Sequence, residues 1–233
     1  MPYPTKEIDF PKMPVFVLGS LMTFIAGYIN SSMLIEFAMP VSQMTGIASR
    51  ISDASIHLEY SDLLNAGMIL LGFFIGAMLS GWMIGHRQYH QDRSYGYALL
   101  CVSLLLTIAT LFSYVQSELS VFLAAMACGL QNALVASYRG LQIRTTHMTG
   151  IVTDLAAFTG IWLKTHAPWT WQPYLLICLL ISFIVGGIIG TLIYRELPNI
   201  TLIFPGIVMA ILGILYLKQV SINLSANSTH NIQ

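Results

Sequence analysis

The chain has 233 residues, of which 56% are hydrophobic and only 9% charged, with ten basic and ten acidic side chains and a formal net charge of zero. Soluble domains carry about a quarter charged residues, so this exterior cannot face water and lipid has to be the outer solvent. The even balance, with no long basic run, also excludes nucleic acid as a partner, because that role needs a concentrated cationic face.

Residues 1–13 form a polar segment without the apolar core and small-residue cleavage site of a removable signal peptide. Six stretches then approach the roughly 20 apolar residues that cross a hydrocarbon core as a helix: Pro14–Phe37, Leu63–Gly85, Tyr95–Val115, Ser120–Tyr138, Pro173–Tyr194 and Ile200–Leu217. No two-residue alternation runs through them, which rules against an outer-membrane barrel. The expected fold is all-α, a polytopic membrane protein with one membrane domain over 14–217 and a polar, disordered tail over 218–233. Two sequons in that tail, at Asn223 and Asn227, read as chance matches.

In chain order, the first span carries Gly27-Tyr28-Ile29-Asn30, and Met44-Thr45-Gly46-Ile47 follows it. This second motif opens a short helix near Ile47 to Ile56, with Ser42 or Thr45 as its cap. The second span carries a ladder of small residues, Gly72, Gly76 and Ser80. Between the second and third spans, His86 and His90 share a helical spacing, but two ligands do not make a metal site and none is assigned. The fourth span carries Gly129-Leu130-Gln131-Asn132. Met148-Thr149-Gly150-Ile151 then opens a second short helix, with Ile151, Leu155, Phe158 and Trp162 on an apolar stripe and Thr145, Thr146 or Thr149 as its cap. The fifth span has its own ladder, Ser182, Gly186 and Gly190. Neither short helix is long and apolar enough to span. Cys101, Cys128 and Cys178 fall far apart inside apolar stretches and read as small buried hydrophobes.

The landmarks recur in the same order at offsets of 102, 104 and 110 residues, which marks a duplication of 14–115 as 120–217. Three spans per half force the second half into the membrane upside down, the inverted 3+3 repeat found in transporters with a midplane substrate site. Orientation follows from basic residues, which stay on the cytoplasmic side. With both termini inside, Lys6, Lys12, Arg87, Arg93, Arg139, Arg144, Lys164 and Lys218 lie within and only Arg50 and Arg195 outside.

Ala127-Cys128-Gly129-Leu130-Gln131-Asn132-Ala133, then Arg144-Thr145-Thr146-His147-Met148-Thr149-Gly150 and Thr153-Asp154-Leu155, resemble the signature of the YoaK family of bacterial inner-membrane proteins, a domain of unknown function. Ala26-Gly27-Tyr28-Ile29-Asn30 and Met44-Thr45-Gly46 are similar to that family's first motif, and Gln43 and Ile47 depart from it. The resemblance, over about Phe16 to Tyr216, implies a six-helix inner-membrane protein with a suspected transport role and supplies no catalytic residues.

The candidate binding residues are Asn30, Thr45, Gly46, Gln131, Asn132, Arg144, His147, Thr149, Gly150 and Asp154. Amides inside apolar spans either line a polar cavity or bond neighbouring helices. Hydroxyls and basic groups at a helix N-terminus suit an anionic or polar solute, whereas ordinary caps on interfacial helices are the alternative. Arg139 reads as an orienting loop charge, and the small-residue ladders read as packing seams, within the chain or across a homodimer. The expected function is a permease for a small polar or anionic solute, without catalysis, metal or cofactor. A partner-binding membrane subunit is the alternative, and an embedded enzyme is third, because only Glu36 and Asp154 approach a membrane-depth carboxylate.

Overall fold

A computed structural model describes residues 12–85, 92–115, 117–136 and 145–230. Every regular element among them is helical: α1 (Lys12–Phe37), α2 (Met44–His57), α3 (Tyr60–Ile84), α4 (Arg93–Tyr114), α5 (Leu119–Ala136), α6 (Met148–Thr165), α7 (Trp171–Glu196) and α8 (Ile203–His230), with a 3₁₀ turn over Pro198–Ile200. Five of these helices, α1, α3, α4, α7 and α8, are long and apolar enough to cross a membrane. The apolar part of α5, Leu119–Val135, is shorter. The expected continuation of that span to Tyr138 lies outside the described residues, as do His86, Arg87, His90 and Arg139.

Span ends match hydropathy within a few residues, except at the C-terminus. There α8 continues to His230, where an irregular tail was expected, because no glycine or proline follows Gly213 to stop it. The expected caps also differ. Gln43 and His147 precede α2 and α6, and neither makes a side-chain capping bond. Both helices instead begin at the methionine of Met-Thr-Gly-Ile, and the Gln43 and His147 carbonyls accept from the Ile47 and Ile151 amides at 3.2 and 3.0 Å. Both end on a left-handed residue, Leu58 (φ 56°) and His166 (φ 52°), which turns the chain into the next segment.

The packing pairs α1 with α7, α3 with α5, and α4 with α8 and α5, while α2 lies on α3 and α6 on α7. Between apolar helices in lipid the attraction comes from close contact, so small residues belong at the seams. A β-carbon at Gly27 would overlap the Phe183 carbonyl, and one at Gly186 would overlap that of Phe24. Likewise a β-carbon at Gly129 would meet the Phe73 carbonyl, and one at Gly76 that of Met126. Residue numbers rise together along the α1–α7 and α3–α5 seams, so these pairs are parallel. The third seam, where Gly96 and Leu100 face Gly213 while Ser103 faces Gly206, is antiparallel.

The middle of α1, from Ile25 to Asn30, is buried all round, as is Ala127 to Gln131 of α5, so these two helices form the centre of the bundle. In contrast, α3 and α7 turn Leu71, Phe74, Met78 and Trp82, and Ile181, Ile184, Ile188 and Leu192, outward. Such apolar exteriors fit lipid. Exposed Tyr60 and Tyr114 at one end of the bundle, and exposed Trp82 and Tyr97 at the other, stand where interfacial aromatic belts occur. Trp169 packs edge-on between Trp162 and Tyr174 at the α6–α7 junction, with ring centroids 6.4 and 5.7 Å away.

Candidate functional site

Polar side chains inside the bundle gather around α1 and α5. On α1, the buried Asn30 carboxamide oxygen accepts from the Ser42 amide at 3.2 Å and from its hydroxyl at 2.9 Å. The chain leaving α1 at Phe37 therefore folds back beside the helix, helped by the left-handed Ala38 (φ 54°), so that α2 starts at the level of Asn30. Met39, Val41 and Ser42 on this return are buried. Without the asparagine, the Ser42 N–H would sit inside with no acceptor, at a cost of about 1–3 kcal/mol.

A similar contact precedes α6. The buried Thr145 hydroxyl donates to the Asn132 carboxamide oxygen at 3.4 Å, just before α6 begins. Ser42 and Thr145, expected as helix caps, thus turn inward to the asparagines.

Gln131 is 1% exposed, and its amide donates to the Met22 carbonyl at 2.8 Å, joining α5 to α1. Its Oε1 and the hydroxyl of Thr23, the next residue on α1, are buried with no partner. Two enclosed oxygens left unpaired are costly in a dry interior. Tyr28 extends the polar line by donating to the Thr201 carbonyl at 3.0 Å, and the Ser32 hydroxyl reaches the Gly190 carbonyl at 3.2 Å.

The remaining candidates lie elsewhere. Thr45, Gly46, His147, Thr149 and Asp154 are exposed on the short helices or at their starts. The His147 ring lies over Gly150, where any β-carbon would strike it. Arg144 lies outside the described residues. The structure therefore buries Asn30 on α1 and Gln131 on α5, leaves Asn132 half-buried on α5, and leaves Thr45, Gly46 and Thr149 exposed. The two short helices pack apart, α2 on α3 and α6 on α7, each on the span that follows it. An apolar-lined groove of about 400 Å³ between Ser31 and the α7 residues Gly187 and Thr191 opens on the outer face and is not lined by these amides.

Sequence reasoning missed Thr23, which carries no signal beyond a hydroxyl in an apolar span, and the pairing of Glu36 with Ser113. Among the described residues no group of three His, Cys, Asp or Glu could hold a metal ion.

No curated protein and no solved structure matches the chain. One family model does match, over residues 18–215, in agreement with the motif resemblance. The chain belongs to the family described as Protein of unknown function (DUF1275).

Proposed function

We propose that the protein is a permease for a small polar or anionic solute, built from two inverted halves with six membrane crossings, its solute path running between α1 and α5. One observation carries this reading: the seams of one half convert into those of the other. Adding 102 to the α1 residues and subtracting 110 from the α7 residues turns Gly27–Phe183 into Gly129–Phe73 and Phe24–Gly186 into Met126–Gly76. Shifts of 102 and 103 turn Asn30–Ser42 into Asn132–Thr145. The α4–α8 seam maps onto itself at a shift of 110, Gly96–Gly213 becoming Gly206–Ser103. These are the relations of a two-fold axis exchanging the halves.

Helix directions support a crossing by α5. It runs parallel to α3, seated on it from Phe122 to Gly129, and without it α4 and α7 could not run the same way as α1. Two halves of three crossings then face opposite sides, the arrangement that places transporter sites at the repeat interface. The unpaired Gln131 and Thr23 oxygens lie at that interface. The distribution of basic residues supports cytoplasmic termini, and the family resemblance implies a bacterial inner membrane.

The proposal includes no catalytic step. Glu36 lies on α1 against α4 and Asp154 on the exposed face of α6, so the two carboxylates form no pair. Purified protein in proteoliposomes, screened against small polar and anionic solutes, is the test. Uptake that is lost on Asn132→Ala and Gln131→Leu supports the reading. No flux for any candidate, together with full rescue of a deletion phenotype by the same variants, overturns it in favour of a partner-binding subunit.

A further inference from the structure

We propose that Glu36 is a proton-binding site, a carboxyl that takes up and releases a proton where α1, α4 and α7 meet. Glu36 is half-buried, one residue from the end of α1. Its Oε1 accepts from the Ser113 hydroxyl of α4 at 2.8 Å. Its Oε2 is shut off from solvent and has no hydrogen-bond partner.

An ionised carboxylate with an enclosed, unpartnered oxygen is expensive, and a basic partner, a metal or a proton can relieve it. The groups around Glu36 leave the third. The Ser113 hydroxyl on α4 is neutral, and the phenol of Tyr194 on α7 is a titratable group close enough to feel the Glu36 charge. Arg195 and Glu196, next along α7, are exposed, and no ion pair to Glu36 forms among the described residues. A metal ion would need several more oxygens than Glu36 and Ser113 supply, and among the described residues no cluster of acidic, histidine or cysteine side chains could hold one.

The step is simple in balance: a proton from water at this end of the bundle adds to one carboxylate oxygen, and no other bond forms or breaks. Ser113 serves both states, since its hydroxyl can donate to the carboxylate or to the carbonyl oxygen of the acid. The site lies six residues beyond Asn30 on the helix that holds the Ser42 return, so a change in charge there acts on α1 itself. The residue at the equivalent place in the second half is Tyr138, which makes the site single per chain. Naming the proton a coupling ion rests on the permease reading, whereas the proton site does not.

Infrared difference spectra of the full chain in lipid, recorded between alkaline and acidic pH, test it. The expected result is a protonated-carboxyl band, sensitive to deuterium, that is lost in Glu36→Gln and moves to higher frequency in Ser113→Ala as the carbonyl loses its donor. Identical spectra for wild type and Glu36→Gln at every pH would overturn the proposal. If Glu36→Gln does not fold, the Ser113→Ala shift decides alone, and an unmoved band counts against the site. A Glu36 band in a protein that moves no solute supports the proton site and tells against the permease.

Discussion

Gly27 of α1 sits beneath the Phe183 carbonyl of α7 so closely that no side chain fits between them, and Gly129 of α5 has the same relationship to Phe73 of α3. These two contacts join helices distant in sequence, and both depend on the absence of a β-carbon. Replacing either glycine by alanine should force the paired helices apart and lower stability by at least about 1–3 kcal/mol, the usual cost of overpacking. Thermal unfolding in lipid or detergent should show losses of similar size at Gly27 and Gly129. Gly67→Ala and Gly81→Ala, where nothing lies within 4 Å, serve as controls and should be neutral or slightly stabilising.

The asparagines should differ from one another in a defined direction. Asn30→Ala removes the acceptor from both the amide and the hydroxyl of Ser42, and a loss of about 1–3 kcal/mol is expected, with faster hydrogen exchange at the Ser42 amide. Asn132→Ala removes one longer bond to a hydroxyl that can rotate to another acceptor, so about 0.5–1.5 kcal/mol is expected. Equal effects at the two sites would contradict this ordering.

Gln131 separates a structural amide from a path-lining one. Gln131→Leu keeps the volume and removes both the donor to the Met22 carbonyl and the unpartnered oxygen, so stability should change by less than about 1 kcal/mol. Flux in proteoliposomes should fall about tenfold, equivalent to roughly 1.4 kcal/mol of lost binding to the solute. A variant that loses several kcal/mol of stability and still transports would assign Gln131 to packing alone.

Much of the fold was legible because each part of it depends on local composition. Apolar length located the long helices, and the recurrence of Met-Thr-Gly marked the neighbourhood where α2 and α6 begin, at Met44 and Met148, a few residues from the expected caps. What escaped was direction. A serine or threonine before a helix is ordinarily its cap, but Ser42 and Thr145 had asparagines waiting 12 and 13 residues upstream, and tertiary contact outweighed the local preference. Of the candidate residues, the three amides were chosen from the cost of polar groups in apolar spans, and two of them, Asn30 and Gln131, are buried. The Thr-Gly residues were placed with them by motif; Thr45 and Gly46 are exposed because the apolar stripe of α2, Ile47, Ile51 and Ala54, faces the bundle and turns them away, while Thr149 is exposed and Gly150 half-buried on α6. Nor could any single span reveal that its glycines face carbonyls of helices distant in sequence.

Opposite orientation of the two halves is open to direct measurement by cysteine accessibility. With Cys101, Cys128 and Cys178 replaced, single cysteines at Ser55 on α2 and Lys164 on α6, both exposed positions, can be probed in whole cells with a membrane-impermeant maleimide. Position 55 should label in intact cells, and position 164 only after the membrane is permeabilised. Labelling of both positions from the same side would contradict the inverted arrangement and remove the main support for transport.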